Sequence, residues 1–151
     1  MTDLFSRLKL ENQLCFSIYA TSREITKVYK PLLDKIGVTY PQYLALLVLW
    51  EHGQVSVKKM GELLYLDSGT LTPMLKRMQE QELVIRERSQ EDERVVLVSL
   101  TEKGTTLRDK ACQIPDEVFN MTDYSPEELA NLKRMLHELL TAIHSYNGKN
   151  N

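Results

Sequence analysis

The stretch from residue 67 to residue 104, "DSGTLTPMLKRMQEQELVIRERSQEDERVVLVSLTEKG", decides the fold class of this chain. Its first half is typical of an amphipathic helix that Asp67 or Ser68 caps. Four apolar residues form the inward face of this helix: Leu71, Leu75, Met78 and Leu83. The second half places two apolar, β-branched runs, "LVIRERS" and "RVVLVSL", on either side of "QEDE", which predicts a hairpin with a charged tip.

A shorter helix is predicted just upstream, in "SVKKMGELLYL", with Ser56 as its cap. Its apolar face consists of Val57, Met60, Leu63 and Leu64. A short helix, a tight turn and a second helix form a helix-turn-helix. A hairpin directly after the second helix is a wing, and "TEKG" then opens another helix. The sequence therefore predicts a winged helix-turn-helix over residues 54–100.

Hydroxyl and basic side chains are predicted on or beside the outer face of the second helix: Ser68, Thr70, Thr72, Lys76 and Arg77. In a winged helix-turn-helix this helix enters the major groove of DNA, and the wing tip can reach the adjacent minor groove with an arginine. Arg94 is the candidate for that arginine, and Asp92 is placed to hold its guanidinium. On these residues alone the alternative, two amphipathic helices and a solvated surface hairpin, stays open.

The charge distribution agrees with this placement better than the total charge does. The 151-residue chain has a formal net charge of −2, whereas a free-standing nucleic-acid module is often basic. Residues 54–77 hold four basic and two acidic residues, while residues 113–151 hold three basic and six acidic residues. The cationic charge is therefore concentrated in the predicted helix-turn-helix.

The remainder of the chain reads as helix. A first helix is predicted from about Leu10 to Ile36, with Gly37 as its stop and Pro31 as a point of bending or interruption. "TYPQYLALLVLWEHG" predicts a buried second helix, and "SPEELANLKRMLHELLTAIHSY" predicts a C-terminal one. The apolar face of that last helix consists of Leu129, Leu132, Leu136, Leu139, Leu140 and Ile143. The expected fold is a single domain, mainly α with a small β-hairpin wing.

These motifs resemble a known family. "DERVVLVSLTEKG" is similar to the wing signature of the MarR family of winged-helix regulators. "ENQLCFSIYATSREITKVYKPLL", "TYPQYLALLVLWE" and "LYLDSGTLTPMLKRM" resemble its organic-hydroperoxide-sensing OhrR branch, and the resemblance spans roughly residues 10 to 120. It implies a homodimer held together by helices in 10–36 and 101–146, whose two winged helix-turn-helix parts bind palindromic double-stranded DNA.

The resemblance also assigns a redox site. It implies that Cys15 is the peroxide-sensing thiol, with Tyr29 and Tyr40 of the other subunit as hydroxyl partners and Tyr19 as a further tyrosine of the site. The physical reasoning is compatible, since hydrogen-bond donors and a helix N-terminus both stabilise a thiolate, and Cys15 lies in the first helical turn if the helix begins near residue 11 or 12. Its apolar neighbours favour an organic hydroperoxide. Without the resemblance, an inert buried thiol is the usual role of a lone cysteine.

The second cysteine departs from the pattern of the branch. Some members carry a resolving cysteine after a "VF" pair, but "PDEVFNMTDYS" has Asn120 at that place. Cys112, in "KACQIP", is a second candidate for resolving Cys15. A low-molecular-weight thiol, or a backbone nitrogen that forms a cyclic sulfenamide, is the favoured way to complete the oxidation.

The sequence lacks motifs for metal binding, phosphate binding or catalysis. His52, His137 and His144 lack metal-ligand spacing, and neither a glycine-rich phosphate loop nor a catalytic triad motif occurs, so no metal, cofactor or enzymatic activity is expected. The chain has no stretch long enough to span a membrane and no signal sequence at its start, which predicts a cytoplasmic protein.

The predicted function is a transcriptional repressor that leaves its operator when organic hydroperoxide oxidises Cys15. One alternative is a MarR-type repressor that a small aromatic ligand releases, with Cys15 merely buried. Another, from a different class, is a thiol peroxidase, which is disfavoured because no catalytic acid, base or arginine accompanies Cys15.

Overall fold

The computed structural model describes residues 4–150. Two short 3₁₀ turns, Leu4–Leu8 and Leu10–Asn12, precede the regular elements. In chain order these are α1 (Leu14–Asp34), α2 (Tyr40–His52), β1 (Val55–Ser56), α3 (Val57–Leu64), α4 (Ser68–Glu80), β2 (Val84–Arg88), β3 (Val96–Leu100), α5 (Glu102–Ala111), α6 (Ile114–Phe119) and α7 (Pro126–Lys149). The chain divides into two compact units, one that ends at Pro115 and one that begins at Asp116.

The helix-turn-helix forms as its sequence predicts. The Ser56 hydroxyl accepts a hydrogen bond from the Lys59 backbone N–H and caps α3, and the Asp67 carboxylate accepts one from the Thr70 N–H at 2.7 Å and caps α4. The predicted inward face of the second helix is confirmed for Leu71, Leu75 and Met78, which are buried; Leu83 is buried too, but it lies beyond the helix, which ends at Glu80. α2 is the predicted buried helix, and it supplies Leu46 and Leu49 to the same unit's core.

One residue of the predicted α3 face is wrongly placed. Met60 is fully buried, but Leu63 is exposed. At about 100° per residue, Leu63 is turned by about 60° from Met60 and Leu64 by about 40° to the opposite side, so Leu63 lies at the edge of the core-facing stripe and Leu64 is half-buried.

The predicted hairpin is confirmed, and the structure adds a third strand. β2 and β3 are antiparallel in a register that pairs Val84 with Leu100 and Arg88 with Val96. The two-residue β1 lies on the other edge of β3, where Val55 pairs with Val98. Two residues carry no alternating pattern, so the sequence gives no sign of this strand.

The first helix is shorter than predicted. It begins at Leu14, because Gln13 has an extended backbone and its side-chain amide donates to the carbonyls of Arg7 and Lys9 in the preceding turns. It continues through Pro31 without interruption and ends at Asp34. Gly37, with a φ of +74°, then supplies the left-handed residue that turns the chain toward α2.

Gly104 is predicted to be essential for docking α5 on the sheet. A Cβ at this position would overlap the backbone carbonyl oxygen of Leu83 and stand 3.0 Å from Cδ2 of Leu100. We expect Gly104→Ala to lower the free energy of unfolding by about 2 kcal/mol or more, measured by urea denaturation. Gly148→Ala, in α7 with nothing within 4 Å of the added methyl group, is the matched control. Equal stability of the two variants would contradict this account.

Candidate DNA interface and redox site

The turn between α3 and α4 brings the backbone of Leu66 close to that of Gly61. Tyr65 adopts a left-handed backbone with a φ of +57°, and the Leu66 N–H donates to the carbonyl of Gly61 at 3.0 Å. A Cβ on Gly61 would stand 2.6 Å from the Leu66 carbonyl oxygen, so only glycine permits this approach. The turn fixes the angle at which α4 leaves α3.

The outer face of α4 presents most of the polar residues that the sequence singles out. Ser68, Thr70, Lys76 and Arg77 are exposed, and Thr72 is half-buried. The structure therefore brings hydroxyl groups to the start of α4 and cations toward its end. The hydroxyl groups are suited to contact base edges of a DNA duplex, and the cations are suited to contact its phosphates.

The wing tip holds its arginine in a fixed pose. Nε of Arg94 donates to Oδ1 of Asp92 at 3.0 Å, and Nη2 donates to Oδ2 at 3.1 Å. The Arg94 backbone N–H also donates to Oδ1, at 3.1 Å. These side-chain and backbone hydrogen bonds lower the pKa of Asp92. The predicted pairing is confirmed, and it leaves the Arg94 side chain 90% exposed and oriented.

A groove of about 590 Å³ runs between α4 and the wing. Ser68 and Thr72 line it on the α4 side, and three cations line it as well: Lys58, Arg86 and Arg94. Within residues 4–150, no acidic residue contributes to the lining of this groove. Despite the net negative charge of the chain, this surface suits a polyanion.

Arg86 is a site residue that the sequence reasoning missed. It lies in β2, and its Nε donates to Oε1 of Gln79 on α4 at 3.1 Å, which holds its guanidinium at the groove. A strand residue can be assigned to a face only when the strand register is known. The only sequence signal was a basic residue within the first run of the hairpin.

Arg94→Ala is expected to weaken operator binding by about 1–3 kcal/mol, the scale of one good groove contact. The measurement is a DNA-binding titration at fixed salt, on the palindromic duplex that the reduced protein selects from a random library. Arg134→Ala removes an exposed arginine with a comparable ion pair, to Glu138 at 2.8 Å, and serves as the control. Equal affinity of the two variants would leave Arg94 as an ordinary surface residue.

Cys15 is the second residue of α1 and is exposed in the chain. The expectation that it lies in the first helical turn is met, although the helix begins later than the sequence suggested. The residue before the helix, Gln13, gives no side-chain cap, so the first backbone N–H groups of α1 keep their capacity to stabilise an anion. Leu14 and Phe16 on either side are exposed apolar residues.

Tyr29 and Tyr40 come together in the structure. Their ring centroids are 4.9 Å apart, and Tyr43 completes a three-ring cluster at 5.8 Å from Tyr29 and 6.2 Å from Tyr40. Tyr43 was not singled out from the sequence, although its position three residues after Tyr40 in α2 places both rings on neighbouring faces. The cluster joins the middle of α1 to the start of α2.

Burial raises the pKa of these phenols further above neutral pH. Desolvation, with smaller contributions from Tyr40 and Tyr43, raises the pKa of Tyr29 to about 12. Desolvation also raises the pKa of Tyr40, and desolvation followed by the nearby Tyr40 raises that of Tyr43. All three hydroxyl groups are therefore hydrogen-bond donors at neutral pH.

The remaining predicted redox residues lie apart from this cluster. Tyr19 is exposed on α1 about 15 Å along the helix from Tyr29, with the Arg23 guanidinium 5.5 Å from its ring centroid. Cys15 is about 21 Å along the helix from Tyr29, so one α1 cannot bring the two together. Cys112 is exposed at the C-terminus of α5, where its Sγ donates to the Asp109 carbonyl at 3.2 Å.

A cleft of about 490 Å³ opens beside Tyr40, between α1 and the start of α2. Leu33, Val38 and Pro41 give it apolar walls, and Lys27 and Lys30 contribute to its lining from α1. It is large enough to receive an apolar side chain or a small organic molecule next to the Tyr40 ring.

The described residues offer neither a metal site nor a membrane-spanning helix. Among residues 4–150, no group of three His, Cys, Asp or Glu side chains converges as a metal site would require. Within the same part of the chain, no helix is both long and apolar enough to cross a bilayer.

Comparisons with known proteins place the chain in a family. The family model of the SarA/Rot transcriptional regulators matches residues 27–111. The organic hydroperoxide resistance transcriptional regulator of Bacillus subtilis is 60% identical over 147 residues, which cover 97% of this chain and all of the relative. The chain belongs to the MarR family, in the organic-hydroperoxide-resistance branch. The HTH-type transcriptional regulator MgrA of Staphylococcus aureus is 40% identical over 135 residues, which cover 89% of this chain and 92% of the relative.

A solved MarR-family structure shows the same architecture. AbfR of Staphylococcus epidermidis, reduced and bound to DNA, superposes with a TM-score of 0.79 at 35% identity, over 93% of this chain and 96% of that one. AbfR has also been solved in an overoxidised form bound to DNA and in a disulfide form. The winged-helix fold predicted from residues 67–104 is therefore confirmed.

Proposed function

We propose that this protein is a redox-sensing transcriptional repressor, which binds a palindromic operator when reduced and releases it when an organic hydroperoxide oxidises Cys15. The observation that carries the proposal is the combination of a cationic groove between α4 and the wing with an exposed thiol in the first turn of α1. The likeness to a hydroperoxide resistance regulator and to DNA-bound AbfR supports both halves.

The DNA half of the proposal assigns a role to each part of the groove. Ser68, Thr70 and Thr72 face base edges in the major groove, and Lys76 and Arg77 face phosphates. Arg94, held by Asp92, enters the minor groove, and Arg86 contacts the phosphate backbone between the two. Two copies of this surface, related by a two-fold axis, would read half-sites about 34 Å apart.

The redox half of the proposal is a simple displacement. The Cys15 thiolate attacks the distal oxygen of the hydroperoxide, the O–O bond breaks, and the alcohol leaves after taking up a proton. Cysteine is oxidised to the sulfenic acid and the hydroperoxide is reduced. A low-molecular-weight thiol then condenses with the sulfenic acid, forming a mixed disulfide and water; a sulfenamide and Cys112 are the other candidates for this second step.

A homodimer makes the site complete. Cys15 and the Tyr29–Tyr40 pair cannot meet within one α1, but a second subunit running antiparallel can bring its tyrosines to this thiol. Exposed apolar side chains occur at the N-terminal end of α1 and along α7, as an interface requires. They include Leu10, Leu14, Phe16, Leu132, Leu136 and Ile143.

The alternative of a repressor that a small aromatic ligand releases has one observation in its favour, the apolar cleft beside Tyr40. The thiol peroxidase alternative requires repeated turnover. With a thiol reductant present, many equivalents of peroxide consumed per Cys15 within the time of one DNA-release event would indicate that enzyme, whereas about one equivalent in that time would indicate a sensor.

The test of the proposed function is a DNA-binding titration with the full chain, reduced and after treatment with cumene hydroperoxide. We expect the treated protein to bind the selected duplex at least about tenfold more weakly, and dithiothreitol to restore its affinity. A protein with equal affinity before and after complete oxidation of Cys15 would not be a redox-regulated repressor.

A further inference from the structure

The C-terminal end of α4 is tied to the connection between α1 and α2 by side-chain amides. Oε1 of Gln81 accepts a hydrogen bond from Nε2 of Gln42 at 3.1 Å. Nε2 of Gln81 donates to the carbonyl of Gly37 at 3.4 Å, and Oε1 of Gln42 accepts from the Thr39 N–H at 3.1 Å. Each amide uses both its oxygen and its nitrogen, so the three bonds form one consistent chain between α4 and residues 37–39.

The side chain of Gln42 is buried in the core. Gln42 is 5% exposed and is the only polar residue within 4–150 that is buried among the core residues. A buried amide loses free energy when it gives up a hydrogen bond, so while the bonds to Gln81 are intact a movement at residues 37–42 is passed to the end of α4.

This chain of bonds ends next to the Tyr29–Tyr40 pair, which the proposed function assigns to the sensing thiol of the other subunit. Thr39 caps α2 and is directly followed by Tyr40, whose ring packs against Tyr29. At the other end, Gln81 is one helical turn beyond Arg77, a predicted phosphate contact. A displacement of residues 37–40 is therefore passed to the DNA-facing helix through Gln81.

The bonds can change without unfolding the unit. They border an open cleft of about 780 Å³ that Asp34, Arg77 and Glu80 help to line, where water can replace an amide removed by substitution. The backbone at the end of α4 is anchored separately, since Nζ of Lys103 donates to the Gln81 carbonyl at 2.8 Å and the Thr101 hydroxyl donates to the Glu82 carbonyl at 2.6 Å. A change in the Gln81 side chain therefore leaves these backbone bonds in place, and the end of α4 stays folded.

We propose that Gln81 is a positioning residue that transmits the oxidation of Cys15 in one subunit to α4 of the subunit whose tyrosines contact that thiol, through its hydrogen bonds to Gln42 and Gly37. The proposal rests on the redox-sensing function proposed above. Movement of the Tyr40 segment after oxidation pulls the end of α4, including Arg77, out of register with DNA. Without the Gln81 amide, α4 keeps its DNA-binding position in the oxidised protein.

The test is Gln81→Met in the full chain, with affinity for the selected duplex measured before and after cumene hydroperoxide. We expect the reduced variant to bind within about threefold of the wild type and the ratio of oxidised to reduced Kd to fall at least about tenfold. Cys15 oxidation, followed by mass spectrometry, should keep its wild-type rate. Gln54→Met, at an exposed glutamine near the end of α2, is the control that should keep the wild-type ratio.

Two further variants separate positioning from a structural role. Gln81→Glu keeps the oxygen that accepts from Gln42 but loses the donor to Gly37, and it should also lower the ratio. Adding Gln42→Met to Gln81→Met should change the ratio no further, because both residues belong to one chain of bonds. Gln42→Met alone also loses an α2 capping bond, so its melting temperature should fall.

Each outcome decides the proposal. A Gln81→Met ratio equal to that of the wild type overturns it while leaving the redox-sensing function intact. Loss of reduced-state affinity by the same factor also overturns it, since that result would mean a misplaced helix rather than a lost transmission. A wild-type protein whose affinity does not respond to oxidation overturns both proposals.

Discussion

Cys15→Ser is expected to bind the selected operator with wild-type affinity and to stay bound at hydroperoxide concentrations that release the wild-type protein completely. Serine preserves the size of the side chain at the second position of α1 and leaves the α4 groove untouched. It removes the oxidisable sulfur, so the sulfenic acid cannot form. Release is measured by fluorescence anisotropy of labelled duplex during titration with cumene hydroperoxide.

Cys112→Ser is the matched control, because Cys112 is the other exposed thiol. If an external thiol completes the oxidation of Cys15, this variant releases DNA normally. If Cys112 is the thiol that reacts with the Cys15 sulfenic acid, its loss makes the release slower or reversible. Peroxide-dependent release of Cys15→Ser at the wild-type dose would falsify the assignment of Cys15 as the sensing thiol.

The second large effect is expected from the tyrosine pair. Tyr29→Phe combined with Tyr40→Phe should slow the oxidation of Cys15 about tenfold or more, with little change in reduced DNA affinity. Each substitution removes a hydroxyl group that can donate to the thiolate and keeps the ring that packs in the cluster. A hydrogen bond to a charged group is worth roughly 1.5–3 kcal/mol, so the loss of two donors should exceed tenfold in the stability of the reacting thiolate.

Mixed dimers show which chain supplies the donors. In the first, one chain carries Cys15→Ser with intact tyrosines and the other carries Tyr29→Phe and Tyr40→Phe with intact Cys15. In the second, a wild-type chain is paired with a chain that carries all three substitutions. Two different affinity tags allow each mixed dimer to be purified after co-expression.

If the tyrosines act across the two-fold axis, the first dimer oxidises at the wild-type rate per cysteine and the second is slow. The 21 Å estimated along α1 between Cys15 and Tyr29 is the reason for this expectation. The reverse pattern, a slow first dimer and a fast second one, would mean that the tyrosines serve their own chain. Equal rates in all dimers would remove them from the redox site.

The sequence alone determined those features whose causes are local. The cap at Ser56, the inward stripe of α4 and the alternation of the hairpin strands each depend on residues close together in the chain, so they were predicted correctly. For α4 the sequence left Asp67 and Ser68 as alternative caps, and the structure selects Asp67. The Asp92–Arg94 pair is of the same kind, because two residues of a tight wing tip can meet whatever the rest of the chain does. Cys15 was correctly predicted to lie in the first turn of α1, although the predicted start of that helix was several residues too early.

Contacts between residues that are far apart in the chain were determined only by the tertiary structure. Tyr43 joins Tyr29 only when α2 packs on α1, Arg86 reaches the groove only in the observed strand register, and β1 forms only because β3 offers it an edge. The bonds of Gln81 span 39 residues to Gln42 and 44 residues to Gly37. Periodicity and capping act within a few residues and carry no information on such contacts, because the core fixes them by packing whole helices against one another.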